Sequence, residues 1–308
     1  MSRAAALLII TTAAFGGTWV AAPWATEEVP PLVVACARFG LAAVLLAVWC
    51  LARGLPLRLR RADVPVVLGS AATAMVGYNV LFLYGVTLAP ASHGAVIVPG
   101  LIPMMTLLLG RAFLRLAIVR RQVMGIGLSL FGLALVVGPE LTGDPRTLAG
   151  DLLFTLSAGL WAIYTLLGRT ATSRLDPSVL NTFAAAIGAL VFLPLALVAP
   201  GGPGDLFGAS SRALGSIAYL GSIGTALSFV TFLLGVRLIG AARASAYTVL
   251  VPVFGLTLTV SLLGEPLGPL SVAGAIVVVA GLWLTQTARP RATGSPAVAR
   301  AAEGRDPA

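Results

Sequence analysis

A small set of residues in this sequence is placed where its chemistry has to be accounted for. Arg38 falls inside an uninterrupted apolar run, about eight residues or some 12 Å from its start if the run is helical. An arginine at such depth in a bilayer costs roughly 2.5–3.5 kcal/mol on insertion scales, so it must face a protein interior or a wet cavity. One reading is a site for an anionic group such as a substrate carboxylate. The other is a structural contact to helix-end carbonyls, or snorkelling toward a headgroup. Tyr78 and Asn79 lie in the middle of a later run, and Ser228 and Thr231 occupy the matching region of another. Polar groups at equal depth suit a midplane binding site, and they equally suit hydrogen bonds between helices. Trp161 and Tyr164, with Trp19, are candidates for the same cavity or for packing and interfacial positions.

Three titratable residues stand at the entrances of apolar runs. His93, the single histidine, is of the type whose ordinary pKa lies near neutral pH and suits either proton coupling or a polar cap. Asp151 is placed to favour a helix N-terminus. Glu265, ahead of Pro266, reads as a turn and helix-start residue. No acid is evident at mid-depth, so an obvious carboxylate proton relay is missing and facilitated diffusion or exchange stays open alongside proton coupling. H-E-x-x-H, P-loop, C-x-x-C and nucleophile-elbow patterns are absent, and one His with two apolar Cys makes a metal site improbable. The expectation is a non-enzyme without cofactor. A membrane-embedded enzyme or lipid-handling protein is the alternative.

The elements that position these residues follow from composition. Of 308 residues 58% are hydrophobic and 10% charged, with a mean hydropathy of +0.99. Soluble chains carry roughly 25% charged residues, so lipid is the expected solvent. The net charge of +9 comes from arginine alone, since lysine is absent. These arginines lie between apolar runs and read as topology charges beside anionic lipid, not as a nucleic-acid surface. Cys36 and Cys50 are about 21 Å apart along one helix, too far for a disulfide, and read as packing residues.

Apolar runs bounded by charge or turn signals predict an all-α integral membrane protein with ten transmembrane helices, at 4–24, 31–52, 64–88, 93–114, 122–139, 150–168, 177–199, 213–236, 244–263 and 266–287. Each suits a hydrocarbon core about 30 Å thick. The first reads as a permanent span, being longer than a usual signal core. Residues 289–308, rich in Pro, Gly, Ala, Arg and Ser, read as a disordered cytoplasmic tail. Arginine-bearing links (Arg53, Arg58, Arg60 and Arg61; Arg111, Arg115, Arg120 and Arg121; Arg169 and Arg174; Arg237 and Arg243) alternate with links nearly free of arginine, leaving only Arg146 and Arg212 on the other side. The positive-inside rule then puts both termini in the cytoplasm of an inner membrane.

The chain also repeats itself. The run from Tyr78 to Leu88 matches that from Ser228 to Leu238 at six of eleven positions; after a slip of one residue Pro103 matches Pro252, Gly125 matches Gly274 and Gly132 matches Gly281. Five spans per copy is odd, so the second copy enters the membrane from the opposite side. The expected organisation is two inverted-topology repeats, 1–140 and 141–288, with a substrate site between them. Pro103 and Pro252 then read as paired kinks, either gating hinges or static bends.

Phe15-Gly16-Gly17, the Arg38-Phe39 pair, Gly150-Asp151 ahead of Trp161-Ala162-Ile163-Tyr164, and Leu263-Gly264-Glu265-Pro266 occur in an order that resembles the EamA-type family of the drug/metabolite transporter superfamily, over about residues 4 to 287. Two features depart from that pattern. Leu116 stands where the first half should carry its own glutamate, and Pro23 stands where a basic residue is often found in the first span. The resemblance implies a multi-pass secondary transporter of small molecules such as amino acids or drug-like compounds, most simply an exporter working by alternating access. It leaves the oligomeric state open.

Overall fold

The computed structural model describes residues 3–114, 119–137, 144–241, 244, 247–265 and 268–287. It is 88% helical, with no strand among the described residues. The long helical segments are α1 (Arg3–Thr26), α2 (Pro31–Ala52), α3 (Arg61–Leu88), α4 (Ala91–Leu114), α5 (Arg120–Val137), α6 (Pro145–Ala171), α7 (Pro177–Val198), α8 (Ser211–Ile239), α9 (Leu250–Leu263) and α10 (Pro269–Thr287). Seven of them, α1 to α4 and α6 to α8, are long and apolar enough to cross a bilayer, and α9 and α10 are shorter apolar helices. The predicted positions of Leu116, Arg115, Arg243, Pro266 and the tail lie outside the described residues.

Local chemistry sets the ends. α6 and α7 each open on Asp-Pro: Asp144 accepts a hydrogen bond from the Arg146 N–H at 3.0 Å, and Asp176 from the Ser178 N–H at 2.8 Å. Each acid satisfies a donor that has no partner within its helix, and the proline occupies the first helical position, where no donor is needed. That polar opening turn makes α6 longer than the run 150–168 that hydropathy alone delimits. α9 stops at Gly264, whose φ of 67° is left-handed and unfavourable for other residues.

The helices pack in exchanged pairs. α1 lies against α8 and α9, as α6 lies against α3 and α4; α2 packs on α7, and α5 on α10. The α5–α10 contact is tight enough to require glycine. A methyl group on Gly125 would fall 2.6 Å from the Gly281 carbonyl oxygen, and one on Gly281 2.7 Å from that of Gly125. The same reciprocity links Gly132 and Gly274, at 2.7 and 2.6 Å. As α5 advances from 125 to 132, its partner on α10 retreats from 281 to 274, so the two helices run antiparallel. Small residues allow such close approach where lipid gives no hydrophobic drive between helices.

The outer surface is apolar. Val48, Phe131, Leu197 and Trp283 are 58–62% exposed, a surface water would not tolerate over so many helices. This is a helical membrane protein.

Candidate functional site

Arg38 lies on α2 with 2% of its surface exposed. Its Nε donates to Thr225 Oγ1 at 2.6 Å and its Nη1 to Asn79 Oδ1 at 2.7 Å. Asn79 belongs to α3 and Thr225 to α8, so one guanidinium spans the two. Each of those helices widens to π geometry just there, over Ala71–Gly77 and Ser222–Leu227. An inserted residue breaks the regular i to i−4 ladder and leaves carbonyls for side chains to reach. Asn79 Nδ2 donates to the Ala74 carbonyl at 2.7 Å, Thr225 Oγ1 to that of Leu220 at 2.7 Å and Ser228 Oγ to that of Ile223 at 2.6 Å, each five residues back. The widened turns therefore fix the acceptors that hold Arg38. Among the described residues no carboxylate neutralises it.

The guanidinium borders a cavity whose walls come from α1 to α4, α6, α8, α9 and the short turn before α9. Phe15, Trp19, Tyr78, Phe82, Trp161 and Phe229 form an aromatic lining, with Thr18, Arg38 and Thr248 as polar points. Trp161 is central to it: its ring meets those of Phe229, Tyr78 and Phe15 at 4.8, 5.0 and 5.4 Å between centroids. The 149-residue register of the repeat relates Pro99 to Thr248 and Ile102 to Val251, and all four line the cavity. Its free volume of about 30 Å³ holds one or two waters.

Three of the seven residues singled out from sequence, Arg38, Tyr78 and Trp161, form the wall, as does Trp19. Asn79 is fully buried behind Arg38 and positions it. The other three face elsewhere. Tyr164 donates its hydroxyl to Asn181 Oδ1 on α7 at 2.9 Å. Ser228 is turned back onto its own helix. Thr231 pairs with Thr11 of α1 at 2.6 Å between hydroxyl oxygens. Matched depth in the repeat does not fix the direction in which a side chain points, and each of these hydroxyls has a nearer partner than the cavity. Pro103, read as a kink, is neighboured by Pro99 in the same helix, and it is Pro99 that reaches the wall.

Thr225 is the main residue that sequence reading misses. The π-turn that aims it leaves no mark in an apolar sequence. The one signal was its place three residues before Ser228.

The end of the bundle where α1 meets α2 is held by contacts that cross the molecule. Arg212 Nη2 lies 2.8 Å from Glu27 Oε2. Glu28 accepts from the Ser210 N–H at 2.7 Å and the Ser210 hydroxyl at 2.6 Å. The Ser210 hydroxyl above all, then its N–H, with a smaller contribution from Arg212, holds the exposed Glu28 carboxyl below the usual carboxylate range. Two further expectations shift. Glu265, read as serving its own turn, accepts from the Ala91 and Ser92 N–H groups at 2.9 and 2.8 Å and so caps α4; residues 266–267 that follow it lie outside the described residues. His93 and Asp151, read separately as helix-entrance residues, face each other: His93 Nδ1 is 3.2 Å from both Asp151 oxygens.

Comparison with known proteins places this architecture. The model of the EamA-like transporter family matches residues 2–138 and again 148–287. The chain belongs to the EamA-like transporter family. It is thereby a membrane transporter of the drug/metabolite transporter superfamily. It is 28% identical to the uncharacterized transporter YyaM of Bacillus subtilis over 87% of this chain and 88% of that one. It is 26% identical to a protein of Salmonella typhimurium named as a probable amino-acid metabolite efflux pump, over 90% and 93% of the two chains. It is 25% identical to a probable terminal-alkyne amino-acid exporter of Streptantibioticus cattleyicolor, over 92% and 93%. A chain of known crystal structure shares the fold with a TM-score of 0.70 at 22% identity, covering 92% of this chain and 98% of the other.

Proposed function

We propose that this transporter is a secondary exporter of small amino-acid-like metabolites across the inner membrane, working by alternating access between two inverted five-helix repeats, 1–140 and 141–288. The observation that carries the proposal is the cavity itself: a buried arginine bonded, among the described residues, only to neutral oxygens, facing an aromatic chamber walled by helices from both halves of the chain. Arg38 has a full charge to offer an anionic group of the substrate, and charge-assisted bonds are the strong ones. Tyr78, Trp161 and Phe229 take the apolar remainder. Asn79 and Thr225 hold the guanidinium in place, with Tyr164, Ser228 and Thr231 supporting the helices behind it. Names of relatives that include amino-acid export support the substrate class. The reciprocal glycines of α5 and α10 support inverted repeats, since equivalent helices related by a two-fold axis in the membrane plane must run antiparallel. The arginine alternation supports both termini being cytoplasmic, which makes the Glu27 end external. Solute counterflow in proteoliposomes tests the reading: amino acids and their analogues should exchange, and Arg38→Ala should abolish exchange at normal expression. No flux across a broad panel, or wild-type exchange in the variant, overturns it.

A further inference from the structure

The external end carries a pair that the cavity does not use. His93 stands on the first turn of α4 and Asp151 on the second turn of α6, with side chains 9% and 4% exposed. The same turn of α4 gives its Ala91 and Ser92 N–H groups to Glu265. One end of a first-repeat helix is thus seated on two carboxylates of the second repeat. The other charged groups at this end are Asp144 and Arg146 at the exposed start of α6, and Glu27, Glu28 and Arg212 farther round toward α8. Of the remaining elements packed nearby, α3 adds Tyr84 at this end, Tyr78 at the cavity, and Arg61 and Asp63 at the opposite end, while α9 and α10 carry no ionisable group.

The repeat makes this arrangement unsymmetrical. Under the 149-residue register His93 corresponds to Ala242 and Glu265 to Leu116, while Asp151 would correspond to the chain start, Met1-Ser2. Two gates built from related helices therefore carry different chemistry, and the single histidine is built into one of them alone. Neutral His93 offers Asp151 a single N–H. The imidazolium adds a charge-to-charge attraction in a poorly solvated place, and it is lost when α4 and α6 separate.

We propose that the His93–Asp151 pair is a proton-binding latch on the external gate: the imidazole takes up a proton, Nδ1–H stays on Asp151, and the protonated pair holds α4 against α6. By linkage, closing takes up one proton from the external solution and opening returns it. This rests on the transport reading above, in that the Glu27 end is one of two gates.

The test needs no substrate. The whole protein in nanodiscs, labelled with isotopic histidine, gives one imidazole signal because His93 is the sole histidine. Spin labels at cysteines replacing the exposed Pro90 and Arg146, in a Cys36→Ala, Cys50→Ala background, report the α4–α6 separation. Between about pH 5 and about pH 8 the separation should widen with the same midpoint as the His93 titration. His93→Gln should lose the response, and Asp151→Asn should lower the His93 midpoint by about one unit or more, a tenfold loss of proton affinity. A pH-invariant separation in the parent protein, an opening response that survives His93→Gln, or an unchanged His93 midpoint in Asp151→Asn would each overturn the latch. Failure of the transport reading would show differently, as absent flux with the gate response intact.

Discussion

Arg38 Nε and Thr225 Oγ1 lie 2.6 Å apart, and the hydroxyl donates its own hydrogen bond to the Leu220 carbonyl that the widened turn of α8 leaves open. The bond joins the charge of the cavity to the geometry of a π-turn. Replacing Thr225 by valine keeps the shape but strands a buried donor, a change that costs about 1–3 kcal/mol. Thr225→Val should therefore reduce counterflow by about tenfold or more through a displaced guanidinium, and Thr225→Ser should restore it. Parallel flux assays on the two variants, at matched reconstitution, check this.

Arg38→Lys separates charge from fork geometry. The ammonium keeps the positive charge but cannot hold Asn79 and Thr225 at once while facing the cavity. Weaker apparent substrate affinity is expected, by about 10- to 100-fold given charge-assisted bonds of about 1.5–3 kcal/mol, with a partly preserved maximal rate. Equal losses in both parameters would argue against a substrate-anion contact.

Trp161 meets three other rings of the chamber, so its removal enlarges the cavity and breaks the aromatic lining together. Phe/Trp→Ala substitutions in packed interiors cost about 3–5 kcal/mol. Trp161→Ala should lower the melting temperature and weaken binding of apolar substrates, whereas Trp161→Phe should keep most stability and shift the preference among substrates. Thermal unfolding in detergent and a substrate competition series measure the two effects.

Gly125 and Gly281 present their Cα faces to each other's carbonyls. Gly125→Ala or Gly281→Ala forces backbones apart, because on each side a carbonyl oxygen and a backbone nitrogen stand in the way beside the Thr285 or Ser129 hydroxyl, and backbone cannot turn aside as a side chain can. Both should lose thermal stability by an amount characteristic of overpacking, about 1–3 kcal/mol. Gly127, with open space around it, should tolerate alanine. Equal melting temperatures for Gly125→Ala and Gly127→Ala would contradict the close approach.

The Glu28–Ser210 contact predicts an acid limit distinct from the His93 latch. Glu28 titrates below its ordinary value of 4.5 in the folded protein. A depressed carboxylate contributes above its unfolded pKa and loses that contribution as pH falls through the folded one. The contact is thus intact across the pH range over which the latch is tested, and it releases only below about pH 4.5. Ser210→Ala should move the Glu28 midpoint up toward its ordinary value, read with isotopic glutamate, and leave the pH response of the α4–α6 separation unchanged, read with the spin labels.

The amino-acid sequence by itself determined that this chain lies in lipid and where its helices run. Hydropathy and Asp-Pro or glycine punctuation are local, and a helix in lipid must satisfy its backbone within its own segment, so the start and stop of α2, α7 and α8 were legible to within a few residues. The repeat and the depth of Arg38 were legible too, because registers of glycine, proline and charge survive where apolar residues interchange freely. Side-chain direction was not. Tyr164, Ser228 and Thr231 share the depth of the cavity yet turn to Asn181, Ile223 and Thr11, and an apolar sequence carries little amphipathic signal to say which face of a helix looks inward. The π-turns that aim Asn79 and Thr225, the capping of α4 by Glu265 and the meeting of His93 with Asp151 bring together residues from distant parts of the chain. Only the tertiary structure decided those, since such pairings depend on which helix ends become neighbours once the helices pack.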